Sequence, residues 1–203
     1  ALTAGIAGLL VLALPATRSM LMSNLGALRQ SRAELSTYEW PEWPVQDAVR
    51  RAIAPRLAAA TSRYQAALRL DASNASANRR LGQIELSLGR YDAARQHLQA
   101  AFDGDPHGHA TRQLFGEALA VTGDVTRAAE AWRPLALDPD RLAVRQYWYD
   151  RADPGQRAEW MREAVALAGK PGRTAGERHS QARQRLQDRA VSPPLSPQTL
   201  RAR

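Results

Sequence analysis

Between Ala75 and Asp140 the apolar positions fall at helical spacing, and the pattern then recurs at an offset of 34 residues. Leu81-Gly82 aligns with Phe115-Gly116, Gly89 with Gly123, Ala94 with Ala128 and Leu98 with Trp132. Each unit reads as two helices joined by a short turn. Gly82 and Gly116 are expected where antiparallel helices cross closely, with Ala94 and Ala128 as matching small residues on the second helix. Gly89 and Gly123 suit a left-handed cap ending the first helix, because only glycine adopts that backbone without a Cβ penalty. Leu81, Leu98, Phe115 and Trp132 are expected to fill the space between helices, and Asp105-Pro106 and Asp138-Pro139 to close each unit.

The pattern weakens on either side. Counting back 34 from Ala94, Leu98 and Ala101 gives Ala60, Tyr64 and Ala67, the second helix of a degenerate unit over 45–74. Its first helix is expected near Val45–Ile53, although Asp47-Ala48 stands where Leu-Gly belongs and Pro55 replaces the turn glycine. After Asp140 a shortened pair is expected over 141–168, turning at Asp153-Pro154-Gly155, with Trp148, Trp160, Val165 and Leu167 on its apolar face. Such an off-register pair suits the end of a repeat array. The stretch 169–203 is rich in Gly, Pro, Ser and Arg and reads as a disordered basic tail.

Towards the start, residues 1–16 are apolar and uncharged. As a helix they would span about 24 Å, short of the roughly 30 Å hydrocarbon layer. The chain opens on Ala, not Met, so further apolar residues are expected upstream. Three readings stand: a transmembrane helix, a signal peptide ending near Leu14-Pro15-Ala16, or a buried helix. Over 17–44 an amphipathic connecting helix is expected, with Leu21, Leu25, Leu28 and Leu35 on one face against the membrane surface or the repeats. Trp40-Pro41-Glu42-Trp43-Pro44 breaks it.

Composition sharpens the class. Ala, Leu and Arg dominate and aromatics are 6%, so an all-α protein is expected. The absence of cysteine excludes disulfides and thiolate metal sites. The net charge of +8 first suggests nucleic acid. However, 169–203 alone holds eight Lys+Arg against two acids, leaving the rest near neutral. That tail lacks the interleaved aromatics that stack bases, so nucleic acid is not an expected partner.

Chemistry-bearing motifs are sparse. No phosphate loop, His-Glu-x-x-His or nucleophile elbow occurs. His107 and His109 fall in a turn, and Asn74 sits as a helix N-cap as well as in an Asn-Ala-Ser sequon. No catalytic residue, cofactor or metal is expected.

Over Ala75–Asp140 the repeated Gly, Ala and large apolar positions resemble the tetratricopeptide repeat. The resemblance implies a right-handed α-solenoid of antiparallel helix pairs whose first helices line a concave groove for a protein or peptide. Carried onto this chain, the groove residues are Arg79, Gln83, Leu86 and Ser87 from one unit and Gln113, Glu117 and Val121 from the next. Gln83 and Glu117 depart from the asparagine-and-lysine clamp of chaperone-binding members. The expected role is a membrane-anchored, non-enzymatic scaffold, held through 1–16 in what is expected to be a bacterial inner membrane. The layout of apolar segment, Trp-Pro linker and repeats also resembles the C-terminal region of membrane glycan ligases of the O-antigen ligase type, which implies an accessory region of a larger enzyme.

Overall fold

The computed structural model describes residues 14–37, 45–135 and 139–168, and these form helices without a strand. The apolar segment 1–13, the Trp-Pro stretch and the basic tail lie outside the described residues. In chain order the helices are α1 (Pro15–Leu35), α2 (Gln46–Ala52), α3 (Ala54–Leu70), α4 (Ala75–Ser87) and α5 (Tyr91–Gly104). They continue with α6 (His109–Val121), α7 (Val125–Trp132), a 3-10 turn (Arg133–Leu135), α8 (Pro139–Ala152) and α9 (Gln156–Ala168).

Local chemistry sets the helix ends. Asn74 caps α4 by accepting a hydrogen bond from the Ala77 amide at 2.9 Å. Gly89 (φ 78°) and Gly123 (φ 89°) end α4 and α6 with the same pair of bonds. Gly89 donates to Leu86 O and Arg90 to Glu85 O; Gly123 donates to Ala120 O and Asp124 to Leu119 O. These are Schellman closures, 34 residues apart, as the spacing predicts.

The helices pair as hairpins, α4 with α5 and α6 with α7. At each crossing glycine meets a large side chain. A Cβ on Gly82 would overlap Leu98, and one on Gly116 would overlap the Trp132 indole. The small residues Ala94 and Ala128 are buried, but they are not what faces these glycines. The expectation of small against small is corrected to small against large.

The first pair differs more. The helix lying along α3 is α1, not the segment 45–53. A Cβ on Gly26 would stand 2.6 Å from Tyr64 Cε1, so Leu25-Gly26 repeats the relation of Leu81-Gly82 to Leu98. Ser19 Oγ donates to Ala67 O at 2.9 Å and accepts from Asn74 Nδ2 at 2.8 Å, tying α1 to the following hairpin. The buried stripe of α1 is Ser19, Ser23, Gly26 and Gln30. Leu21, Leu28 and Leu35 face outward instead of against the repeats. Helix α1 is thus packed along α3 and is not a mere connector.

Two apolar cores result. Ile53, Leu57, Tyr64, Leu81 and Ile84 form one; Leu86, Leu98, Phe115, Trp132, Tyr149 and Met161 belong to the other. At the far end α9 packs on α7 and α6 through Ala158, Met161, Ala164 and Val165. Leu167, expected on the apolar face, is exposed because it falls off that stripe. No described helix is long and apolar enough to cross a membrane.

Candidate functional site

The first helices of successive pairs, α4 and α6, carry the residues expected to line a groove. Two helices without the glycine pattern, α2 and α8, lay their polar side chains across them. Asp47 on α2 accepts from Ser87 Oγ of α4 at 2.7 Å. Arg145 on α8 bridges Asp47 on one side and Glu117 of α6 on the other. Tyr149, one turn further along α8, donates to Glu117 Oε1 at 2.7 Å. Arg50, one turn from Asp47, donates through Nε to Glu34 Oε1 of α1 at 2.8 Å. A row of alternating charges therefore runs Glu34, Arg50, Asp47, Arg145, Glu117 across four helices, α1, α2, α8 and α6.

Burial decides how these groups titrate. Glu117 is 1% exposed. Its burial pushes the carboxyl above the usual glutamate range; Arg145 opposes this and the neighbouring Asp47 charge adds to it. Burial also works against the charge of Asp47, but Arg145, Ser87 and Arg50 together overcome it and hold the carboxyl below its usual range. Arg145 loses by desolvation and gains more from Glu117 and Asp47, so its proton is held still more tightly than usual. Burial and the Glu117 charge push the Tyr149 phenol up, keeping it protonated as a donor. One guanidinium serves two carboxylates; Glu117 has the Tyr149 hydroxyl besides, and Asp47 has the Ser87 hydroxyl and the Arg50 charge.

The expected groove residues divide accordingly. Leu86 and Val121 are core residues of the second apolar cluster. Ser87 and Glu117 are buried under α2 and α8. Gln83 lies at the edge, its Oε1 3.5 Å from Gln30 Nε2 of α1. Gln113 is half-buried, and its carbonyl accepts from Trp132 Nε1 at 3.0 Å. Arg79 is half-buried too, its proton loosened by desolvation and by the adjacent Arg80. The expectation that Leu86, Ser87, Glu117 and Val121 stand open to a ligand is corrected: all four are buried, and Ser87 and Glu117 lie under the chain's own helices because Asp47 and Arg145 complement them.

Asp47, Arg50, Arg145 and Tyr149 were not foreseen as partners of this face. The available signal was indirect: the segments 45–53 and 141–152 lack the Leu-Gly pair, so they had to pack elsewhere. A cation–aromatic contact reinforces the cover, with Arg51 of α2 over Trp148 of α8 at 5.0 Å, and a second, Arg157 over Tyr91 at 4.8 Å, joins α9 to α5.

Elsewhere the chemistry is plain. His97 Nδ1 lies 3.0 Å from Asn78 Oδ1, and burial keeps the ring neutral more readily. His107 and His109 are exposed beside the turn after α5. Among the described residues no three His, Cys, Asp or Glu stand together to hold a metal. The chain matches no protein-family model, and no curated protein matches it.

Proposed function

We propose that residues 15–168 build a right-handed α-solenoid of the tetratricopeptide type, serving as a membrane-attached scaffold for protein–protein contact with no catalytic role. The observation that carries the solenoid reading is the glycine under a large side chain in three successive pairs: Gly26 under Tyr64, Gly82 under Leu98, Gly116 under Trp132. Helix pairs built on one crossing stack with one repeated rotation, which is how solenoids form. The scaffold reading is supported by the chemistry of the polar cluster. Its carboxylates are spent on holding α2 and α8, with no room beside Glu117 for a substrate. Membrane attachment is supported by the uncharged apolar run 1–13.

In this reading a partner meets the outer helix faces and the rim left by Arg79, Gln83 and Gln113, not the covered floor. Photo-crosslinking tests it, with a benzophenone side chain placed at Gln96, Gln113 or Glu130 of the full chain in its native membrane. A discrete heterologous adduct from one face, lost when neighbouring surface residues are changed, is expected. Equal absence of adducts from every helix would overturn the scaffold reading.

A further inference from the structure

We propose that the outward face of α1 is a docking surface for an anionic lipid bilayer, on which the helix lies along the headgroup–acyl boundary. The inference deepens the membrane-attachment part of the reading above and rests on it.

Six large apolar side chains are exposed among the described residues, and five of them, Leu14, Met20, Leu21, Leu28 and Leu35, belong to α1 or its cap. Their exposure runs from 45% at Leu21 to 69% at Leu35. Leu14, Leu21, Leu28 and Leu35 recur every seventh residue and form one stripe opposite the buried Ser19, Ser23, Gly26 and Gln30. The outer half of α1 therefore carries an apolar stripe that no other described residue covers.

Charge indicates what covers it. Helix α1 carries Arg18, Arg29 and Arg32, all exposed. Its single carboxylate, Glu34, is turned to Arg50 at 2.8 Å. The free face thus presents leucines beside uncompensated arginines, the arrangement of a helix that lies on an anionic interface. The helix begins sharply: Leu14 is extended (φ −66°, ψ 131°) and Pro15 opens α1, so Leu14 stands at the helix start with its side chain exposed.

A second copy of α1 is the competing occupant, since a seven-residue period also suits a coiled-coil seam. Such a seam needs a second apolar row three or four residues on. Those positions hold Thr17, Asn24 and Ser31 in one register and Arg18, Leu25 and Arg32 in the other. Neither completes the seam, and the second sets cation against cation.

The chain has no cysteine, so one introduced cysteine reports one place. The full chain carrying Leu28→Cys, or Gln96→Cys on exposed α5 as control, is labelled with an environment-sensitive fluorophore. It is then mixed with phosphatidylcholine vesicles with and without phosphatidylglycerol, some lipids being brominated near the headgroup. The probe at 28 is expected to shift to the blue and to be quenched by brominated lipid, and the probe at 96 to do neither. Replacing Arg18, Arg29 and Arg32 by Gln is expected to lower docking on phosphatidylglycerol vesicles about fivefold per arginine, with salt acting in the same direction. If the chain sediments with vesicles while both probes stay equally wet, membrane attachment stands and the α1 surface is refuted. If the chain does not sediment with vesicles, both readings fall. If the probe at 28 is shielded without lipid and the chain runs as a dimer, a second copy is the occupant and the inference is overturned.

Discussion

At Glu117, burial and a second carboxylate push the same way, while a single guanidinium resists both; at Asp47 the Ser87 hydroxyl and the Arg50 charge join Arg145 and reverse the balance. The two acids therefore bend the stability curve in opposite senses. Glu117 binds its proton more tightly folded than unfolded. Its contribution is full below about pH 4.3, the value of a free glutamate, and is lost as pH rises through the raised folded value. Asp47 contributes above the free-aspartate range and loses that as pH falls through its lowered folded value. In urea unfolding followed from pH 4 upward (roughly the onset of glutamate ionisation), Glu117→Gln is expected to flatten the decline that the unaltered protein shows above that onset. Parallel curves would mean that Glu117 carries no shifted proton. Sequence reading expected Glu117 to line an open groove; it is buried instead against Arg145, a partner 28 residues away that the reading missed. An ion pair between helices leaves no period in the chain, whereas a helix face does.

Among the elements, α1 shows where periodicity misleads. Its leucines form the more conspicuous stripe, yet the helix packs through Ser19, Ser23 and Gly26, because only small residues let it close on the Tyr64 ring. The Leu25-Gly26 signature was present in the sequence. It escaped because Gly26 and Tyr64 are 38 residues apart, against 16 for Gly82 and Leu98 and 16 for Gly116 and Trp132. The extra length holds α2, which folds back over the face of α4. The hairpins α4–α5 and α6–α7 were legible because their turns are short and their glycines stay in register. Two substitutions on α1 separate the stripes. Gly26→Val forces a side chain into Tyr64, whose hydroxyl is held by Gln30 at 2.7 Å, and is expected to cost about 2–3 kcal/mol. That is a fall of roughly 5–10 °C in Tm. Leu21→Ala, on the outward stripe, is expected to stay within about 0.5 kcal/mol. Thermal melts of the two variants with equal loss would show that the leucines, not the glycine, hold α1.

Over the whole molecule, two apolar cores meet along α4, which gives Leu81 and Ile84 to one and Leu86 to the other. The polar row crosses the same boundary. Arg145 belongs to a helix of the second core and clasps Asp47, 98 residues earlier on the helix that precedes α3. The row therefore adds a tie between two regions that also share α4 and the Arg51–Trp148 contact. It does so at a cost in desolvation, and a buried pair of this kind stabilises only while both partners remain. Arg145→Met keeps the stem and removes the charge, leaving Glu117 and Asp47 buried without their shared cation. The expected loss is about 3 kcal/mol or more, and it falls unequally. Glu117 has only Tyr149 left, while Asp47 keeps Ser87 and Arg50. The second core should therefore open first. With Trp40 and Trp43 replaced by Phe, the fluorescence of Trp132, Trp148 and Trp160 reports that core, and far-ultraviolet circular dichroism reports all helices. In urea the two signals are expected to coincide for the parent and to separate for Arg145→Met, fluorescence changing at lower denaturant. Coincident transitions at the parent's midpoint would show that the Arg145 charge does not join the two halves, and that α4 and the contacts remaining across α2 and α8 carry the cooperativity.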